Sequence, residues 1–501
     1  MQLIDLLIFI AYMIGMLGVG YYFMGKNKDQ DDYYVGGRKM GSLHVGLSVV
    51  ATDVGGGFSI GLGGLGFTIG LAGSWMLFTG LIGAWLAAVL LIPKIKGNSA
   101  FAKFLTFPQL FGHWYGARVA LLAGIISAIG YTGFTSSQIL AGAKLANGTF
   151  PTMDMTTALL VMGIVAVVYT VMGGLKAVIY TDTIQWIILM AGLIFIGIPM
   201  AWVAVGGWEG ITETVPAEMV SMSNLTWTDL LNWGVTIIPI WFVGMTLYQR
   251  IYATKDVKSA KKAWFYAGLF EWPIMAFMGV MLGLMSRVAA EQGLLGDFSA
   301  ATMDAETGLP LLLRTILPAG ILGLMMSAYF SAILSTADSC LMAASGNVMT
   351  DLIGERGMNS KHHLRYSQIA TFILGGLALL LATQMTEVLG LMLYSYAFMV
   401  SGLFIPVLGA LFWKKSSAAG AFWAMLIGGV TTVVLILSDI ALPYKLDANI
   451  FGLTAALIVF IVISYLFPDK HNANSNNGIS GTERNRHSNL SSERRDSHIS
   501  V

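Results

Sequence analysis

Long apolar runs separated by short polar loops dominate this chain. Thirteen runs stand out, at 4–24, 42–69, 72–93, 118–146, 156–174, 178–206, 228–249, 263–288, 317–346, 366–384, 387–412, 417–438 and 450–467. As a helix, each is long enough to cross a hydrocarbon core of about 30 Å. The expected fold class is therefore an all-α membrane protein with about thirteen transmembrane helices. Two runs contain residues hostile to a helix. The second carries Val54-Gly55-Gly56-Gly57-Phe58-Ser59-Ile60-Gly61-Leu62-Gly63-Gly64, and the seventh carries Pro239 between Gly234 and Gly244. Backbone that cannot complete its own hydrogen bonds survives in lipid only where protein or a polar cavity satisfies it. A matched pair of interrupted spans points to the binding site of a carrier. Two plainer readings stand beside this one. Glycines such as Gly63, Gly64, Gly66 and Gly70 also serve close helix packing, and a lone Pro239 also makes a simple kink.

The two interrupted runs lie five spans apart. Because that interval is odd, two five-helix units would enter the membrane from opposite sides as an inverted repeat. The organisation this predicts is a peripheral first helix with a cytoplasmic loop at 1–41. A first half spans 42–249, extending into the broken seventh span, and a second half spans 228–412. Two peripheral helices follow at 413–467, then a disordered cytoplasmic tail at 468–501. The tail is polar and almost free of apolar residues, so it has nothing with which to build a core.

Charge sets the orientation. Alternate loops hold nineteen Lys and Arg residues, while the opposite set holds only Lys144, Arg287, Arg314 and Lys445. Basic loops face the cytoplasm, which puts the N-terminus outside and the C-terminus inside. The first run ends at Lys26 with no basic residue ahead of it, the reverse of a secretory signal. The chain is 56% hydrophobic and only 11% charged, with a mean hydropathy of +0.72, so it belongs in a cell membrane with lipid as its surroundings. A net charge of +1 gives no reason to expect nucleic acid, and one cysteine, Cys340, excludes a disulfide framework within the chain.

Four acids fall within or beside apolar runs: Asp53, Asp182, Glu271 and Asp338. A bare charge at the bilayer centre costs at least ~3 kcal/mol. No Lys or Arg is expected at their depth, so they imply a bound cation: sodium, a proton or a cationic group of a solute. Ser331 to Ser339 is the most polar stretch of any run. Ala332, Ser335 and Thr336 share one helix face, as do Ser335, Asp338 and Ser339. Hydroxyl, carbonyl and carboxylate oxygens suit a hard cation, although Ser and Thr also bond the carbonyl four residues back. Asp182 reads equally as a helix N-cap. Glu271 precedes Trp272-Pro273 deep in the eighth run, either neutral or facing a cavity. No nucleophile and base pairing, phosphate loop or metal spacing of the soluble-enzyme kind is present, so no enzyme is expected. A cation channel, the other class that holds membrane acids, calls for repeated filter loops, and none is visible.

Several of these stretches together resemble the sodium/solute symporter family, in its proline permease and choline transporter branches. They are Asp32-Tyr33-Tyr34-Val35-Gly36-Gly37-Arg38, Ala51-Thr52-Asp53-Val54-Gly55-Gly56-Gly57, Gly173-Gly174-Leu175-Lys176-Ala177-Val178-Ile179-Tyr180-Thr181-Asp182 and Ser335-Thr336-Ala337-Asp338-Ser339. The resemblance runs to about Pro468 and implies a LeuT-like repeat of five plus five helices. It implies a sodium site from the carbonyls of Ala51, Val54 and Ala332 with the hydroxyls of Ser335 and Thr336. Some members carry a second site, whose pattern matches Asp182, Ser335, Asp338 and Ser339, so one or two sodium ions are implied. Asp53 is similar to an acid that assists sodium binding in proline permeases.

The implied activity is sodium-coupled import of a small organic solute by alternating access. Asp53 favours an amino acid or related amine-bearing compound. The alternatives are a choline-like quaternary amine, a sugar or a carboxylate. Against choline, Asp53 stands where that branch carries a tryptophan, and Gly244 replaces another ahead of Arg250. Candidate solute contacts are Gly56, Gly57, Ser59, Phe134, Gln138, Trp241 and Tyr394, each of which also has an ordinary packing role.

Overall fold

The computed structural model describes residues 3–24, 34–150, 152–173, 175–354, 360–438 and 440–469. Lys26, Lys28, Asp32, Tyr33, Gly174, Arg356 and the tail from 470 onward lie outside the described residues, and the expectations placed on them go with them. The described chain is helical throughout, with no strand among the described residues. Its long helices are α1 (Leu3–Met24), α2 (Ser42–Ile69), α3 (Trp75–Leu86), α4 (Ala117–Thr149), α5 (Met155–Gly173) and α6 (Leu175–Gly192). Then come α7 (Trp227–Val243), α8 (Met245–Ala253), α9 (Val257–Leu269), α10 (Ala276–Glu291), α11 (Ile321–Asn347) and α12 (Ser360–Ala382). The last three are α13 (Val388–Phe412), α14 (Ala418–Leu437) and α15 (Ala448–Leu466).

Among the described residues, nine helical stretches are long and apolar enough to cross a membrane, and the bent pair α7–α8 makes a tenth. The stretch Gly55–Lys96 joins the second half of α2 to α3. The apolar parts of α1 and α5, at Leu3–Gly15 and Met155–Val171, are shorter.

Three interruptions shape the bundle. In α2 the backbone leaves the helix at Gly55, with φ 36° and ψ −155°, a conformation that favours glycine. The break expected at Pro239 falls elsewhere. Helix α7 runs through Pro239 to Val243, and the chain turns extended at Gly244, φ −69° and ψ 113°, before α8 departs at 42°. Proline removes one donor and crowds one carbonyl, which the surrounding helix tolerates here. Gly244, with no side chain to place in the corner, takes the bend itself. The third interruption is at Trp272, φ −136° and ψ 126°, between α9 and α10, and it presents Glu271.

Helix α11 forms the axis, with 89% of its apolar window buried. It packs on α4, α6, α1 and α2. Helices α2 and α10 touch through their backbones. A Cβ on Gly66 would lie 2.2 Å from Val280 O, and one on Gly283 would lie 2.1 Å from Gly63 O. At one end, Lys144 of α4 pairs with Asp304 at 2.5 Å and Glu306 at 2.7 Å. Glu306 also accepts from the backbone N–H of Val388 and Leu389 at 2.9 and 3.0 Å, holding the start of α13. This joint seals that end of α2, where Glu306 packs on Gly64.

Candidate cation and solute site

The gap at Gly55 is filled from α11. Thr336 Oγ1 lies 3.1 Å from Ala51 O and 3.3 Å from Ala332 O, and Ser335 Oγ lies 3.1 Å from Ala332 O. A Cβ at Gly55 would stand 2.5 Å from Thr336 Oγ1. Thus Ala51, Ala332, Ser335 and Thr336 converge on the break. Val54 is on the same turn, and its side chain lies outside the described residues. Carbonyl and hydroxyl oxygens drawn from two helices are the donor set a hard monovalent cation accepts. The link between α2 and α11 also means that filling this site ties the two together.

One turn along, the acids are arranged differently from the expectation. Asp182 is fully buried, so it is no interfacial N-cap, and it faces Arg250, also fully buried. The expectation that no basic residue reaches this depth is therefore corrected. By sequence Arg250 counts among the nineteen basic residues of the cytoplasmic loops, because it opens a basic run. The bend at Gly244 instead turns α8 back into the bundle with the guanidinium inside it. Arg250 Nη2 donates to Thr52 Oγ1, to Ser339 Oγ at 3.0 Å and to Asp182 Oδ2 at 3.4 Å. Its Nε donates to Ser48 Oγ at 3.1 Å, and Ser48 Oγ donates to Asp182 Oδ2 at 2.5 Å. Asp338 is turned to α5, where Thr170 Oγ1 donates to its Oδ1; Oδ2 has no hydrogen-bond partner. Hydrogen bonds offset the desolvation of a buried charge pair, and this one is held by three side chains, Ser48, Thr52 and Ser339, with Asp182 Oδ1 left without a partner.

The opposite side of the Gly55 break carries the solute candidates. Gly56 N–H donates to Gln138 Oε1 at 2.7 Å, and Ser59 Oγ donates to Gly55 O at 2.5 Å. Gly57 lies against Met392 Sδ and Gln138. Phe134 meets the ring of Tyr396 edge-on at 4.9 Å, and Tyr396 Oη donates to Asp53 Oδ1 at 3.4 Å. Trp241 is fully buried and fills the space beside Gly83 of α3. Gly56, Gly57, Ser59, Phe134, Gln138 and Trp241 are therefore inside the bundle. Tyr394 is 48% exposed and lies away from them; Tyr396, two residues on, points inward. Two positions are more than half a helical turn apart, so an apolar run that carries both tyrosines does not say which one faces in. Arg250 and Tyr396 are the site residues the sequence reading missed.

Helices broken at the depth of buried acids, around a pocket of carbonyl and hydroxyl oxygens, define a secondary carrier of small solutes. Comparison with known proteins makes that specific. The model of the sodium:solute symporter family matches residues 33–428, and the chain belongs to that family. It is similar to the high-affinity proline transporter PutP of Bacillus subtilis (strain 168), 28% identical, with 90% of this chain and 96% of that protein covered. It is similar also to the sodium/proline symporter of Salmonella typhimurium, 26% identical over 86% of this chain and 87% of that protein. Among solved structures, that of a Na+-coupled sialic acid symporter in a substrate-bound outward-open state superposes with a TM-score of 0.75. Its identity to this chain is 22%, and 94% of this chain and 99% of that one are covered. The protein is a sodium-coupled symporter of a small organic solute, a multi-pass plasma-membrane carrier and not an enzyme.

Proposed function

We propose that this carrier imports an amino acid or a related amine-bearing solute with one sodium ion, by alternating access. Proline carriers among its relatives and the buried Asp53 beside the break support the solute class. The sodium ion is assigned to Ala51, Val54, Ala332, Ser335 and Thr336, and the contact that carries this assignment is Thr336 Oγ1 on Ala51 O. At the Asp182 and Ser339 position the Arg250 guanidinium supplies the positive charge a second sodium would bring. Asp338 is turned from that position towards Thr170 of α5.

In this reading sodium ties α2 to α11 and stabilises the outward-open cavity. Solute then enters between α2 and α7, the bundle closes, and low internal sodium empties the site inward. The thirteen-span topology, the five-plus-five inverted repeat and an external N-terminus belong to the same proposal. A membrane potential of about 100 mV supplies ~2.3 kcal/mol per charge, and a tenfold sodium gradient adds ~1.4 kcal/mol. One ion therefore sustains accumulation of several-hundredfold, on the order expected from those two terms.

The test is uptake into proteoliposomes with and without a sodium gradient. Thr336→Ala and Ser335→Ala are each expected to raise the half-saturating sodium concentration about tenfold, the loss of one oxygen ligand. Half-saturation unchanged in both variants removes the assignment.

A further inference from the structure

Glu271 is a fully buried acid that the sodium site does not use. It sits at the interruption between α9 and α10. The packing of α2 on these helices sets its level. Gly46 lies against Ala263 and Tyr266, and Gly279 lies against Leu62, so Asp53 of α2 falls opposite the Phe270–Glu271 turn. There the two carboxyl groups are neighbours by the register of the helices. Asp53 Oδ2 and both oxygens of Glu271 have no donor. Such a pair settles in a dry interior only by sharing a proton or by taking in a cation, since charged oxygens left without a donor are costly. The buried cations among the described residues are engaged elsewhere, Arg250 on Asp182 and Lys144 on Asp304 and Glu306.

The surroundings indicate what kind of cation fits. Glu271 Oε2 occupies the place a side chain at Gly80 of α3 would take, 2.1 Å from an ideal Cβ, and Trp241 occupies that of Gly83. Positions three apart share a helix face, so α3 keeps two glycines where an acid and an indole come in from other helices. Tyr396 reaches Asp53, with Phe134 behind it. The three carboxyl oxygens without a protein donor suit the two or three N–H donors of an ammonium group. Aromatic rings next to them favour an organic cation over a small hydrated one.

We propose that Glu271, together with Asp53, holds the ammonium group of the transported solute beside Trp241 and Tyr396. This rests on the amine-bearing solute class proposed above and assigns the residue that selects it. Glu271 belongs to a different helix from the sodium ligands, so the two functions separate by substitution.

The experiment uses the full-length protein in proteoliposomes under a sodium gradient, with matched solutes: L-proline against tetrahydrofuran-2-carboxylate, L-alanine against L-lactate, and glucose. The wild type is expected to concentrate an amine-bearing member and to disfavour its amine-free partner at least about tenfold. Glu271→Gln is expected to raise half-saturation for the amine-bearing solute about tenfold to a hundredfold. It should erase the preference over the partner and leave half-saturating sodium within about twofold. Glu271→Asp, which keeps the charge, should retain part of the preference, and sodium-dependent thermal stabilisation of each variant shows that it is folded. The proposal is overturned if Glu271→Gln keeps the amine preference, or if it shifts sodium dependence alone. It is overturned also if the wild type concentrates only solutes without an ammonium N–H. If the wild type concentrates nothing and gains no stability from sodium, the symport reading fails instead.

Discussion

Arg250→Met is expected to make the folded protein depend on sodium. The substitution removes the guanidinium that lies on Asp182, Thr52, Ser48 and Ser339 and leaves a fully buried carboxylate with no counter-charge. Breaking such a pair from one side costs about 3–5 kcal/mol. The oxygens left behind would form the Asp182 and Ser339 part of the second sodium site that the family resemblance implies. Sodium at about a hundredfold over its dissociation constant would return ~2.7 kcal/mol. The unfolding temperature of Arg250→Met should therefore be well below wild type in potassium chloride and climb steeply as sodium replaces potassium at constant ionic strength. Asp182→Asn should also destabilise, by stranding the guanidinium. The double variant Arg250→Met with Asp182→Asn should recover most of the loss and be indifferent to sodium at this position, because neither charge remains. Uptake driven through Arg250→Met should require more sodium than wild type. An Arg250→Met protein as stable as wild type in potassium, with no larger response to sodium than wild type, would show that the guanidinium does not stand in for an ion.

Arg250 also shows where sequence reading reached its limit. The first break was legible because a triplet of glycines in an apolar run has few uses other than an unusual backbone. The hydroxyl-rich face of α11 was legible because helical spacing collects Ala332, Ser335 and Thr336 whatever the helix packs against. The depth of Asp53, Glu271 and Asp338 follows from the runs around them, and all three are buried, whereas Asp182 reads equally as an N-cap and is placed inside only by the packing. What escaped depends on the path of the chain after a bend. Arg250 heads a basic loop in sequence, and only the 42° turn at Gly244 returns it to the interior. Pro239 is the stronger helix breaker, yet its helix continues and the neighbouring glycine bends. Tyr394 and Tyr396 are alike in a uniformly apolar helix, so the buried one is decided by α13's rotation about its axis. The meeting of Asp53 with Glu271 belongs to the register of α2 on α9 and α10, which no local pattern encodes.

Gly55→Ala is expected to abolish coupled uptake, the largest loss from the smallest change of side chain. The backbone there, at φ 36° and ψ −155°, is glycine territory, and holding another residue in such a region costs about 1–3 kcal/mol. Space is the second obstacle. The new methyl would lie 2.5 Å from Thr336 Oγ1 and 2.9 Å from Gln138 Oε1, well inside van der Waals contact. Both neighbours are fully buried and already committed, Thr336 to the carbonyls of Ala51 and Ala332 and Gln138 to the N–H of Gly56. Relief requires either α11 to retreat from α2, which pulls the hydroxyl off Ala51 O, or α2 to reform a continuous helix, which withdraws the carbonyls. Either route dismantles the proposed sodium cage and disturbs the neighbouring residues proposed to contact the solute. Sodium half-saturation should therefore rise, and uptake at physiological sodium should fall by about a hundredfold, the equivalent of some 2.7 kcal/mol. Gly376→Ala is the matched control. Nothing lies within 4 Å of its added methyl, and within α12 alanine is the better helix former, so transport should be unchanged and stability equal or slightly higher. Wild-type sodium affinity in Gly55→Ala would mean that the interruption of α2 does not build the ion site. The coupling would then have to run through α11 alone, without the strand of open backbone that links the ion to the solute.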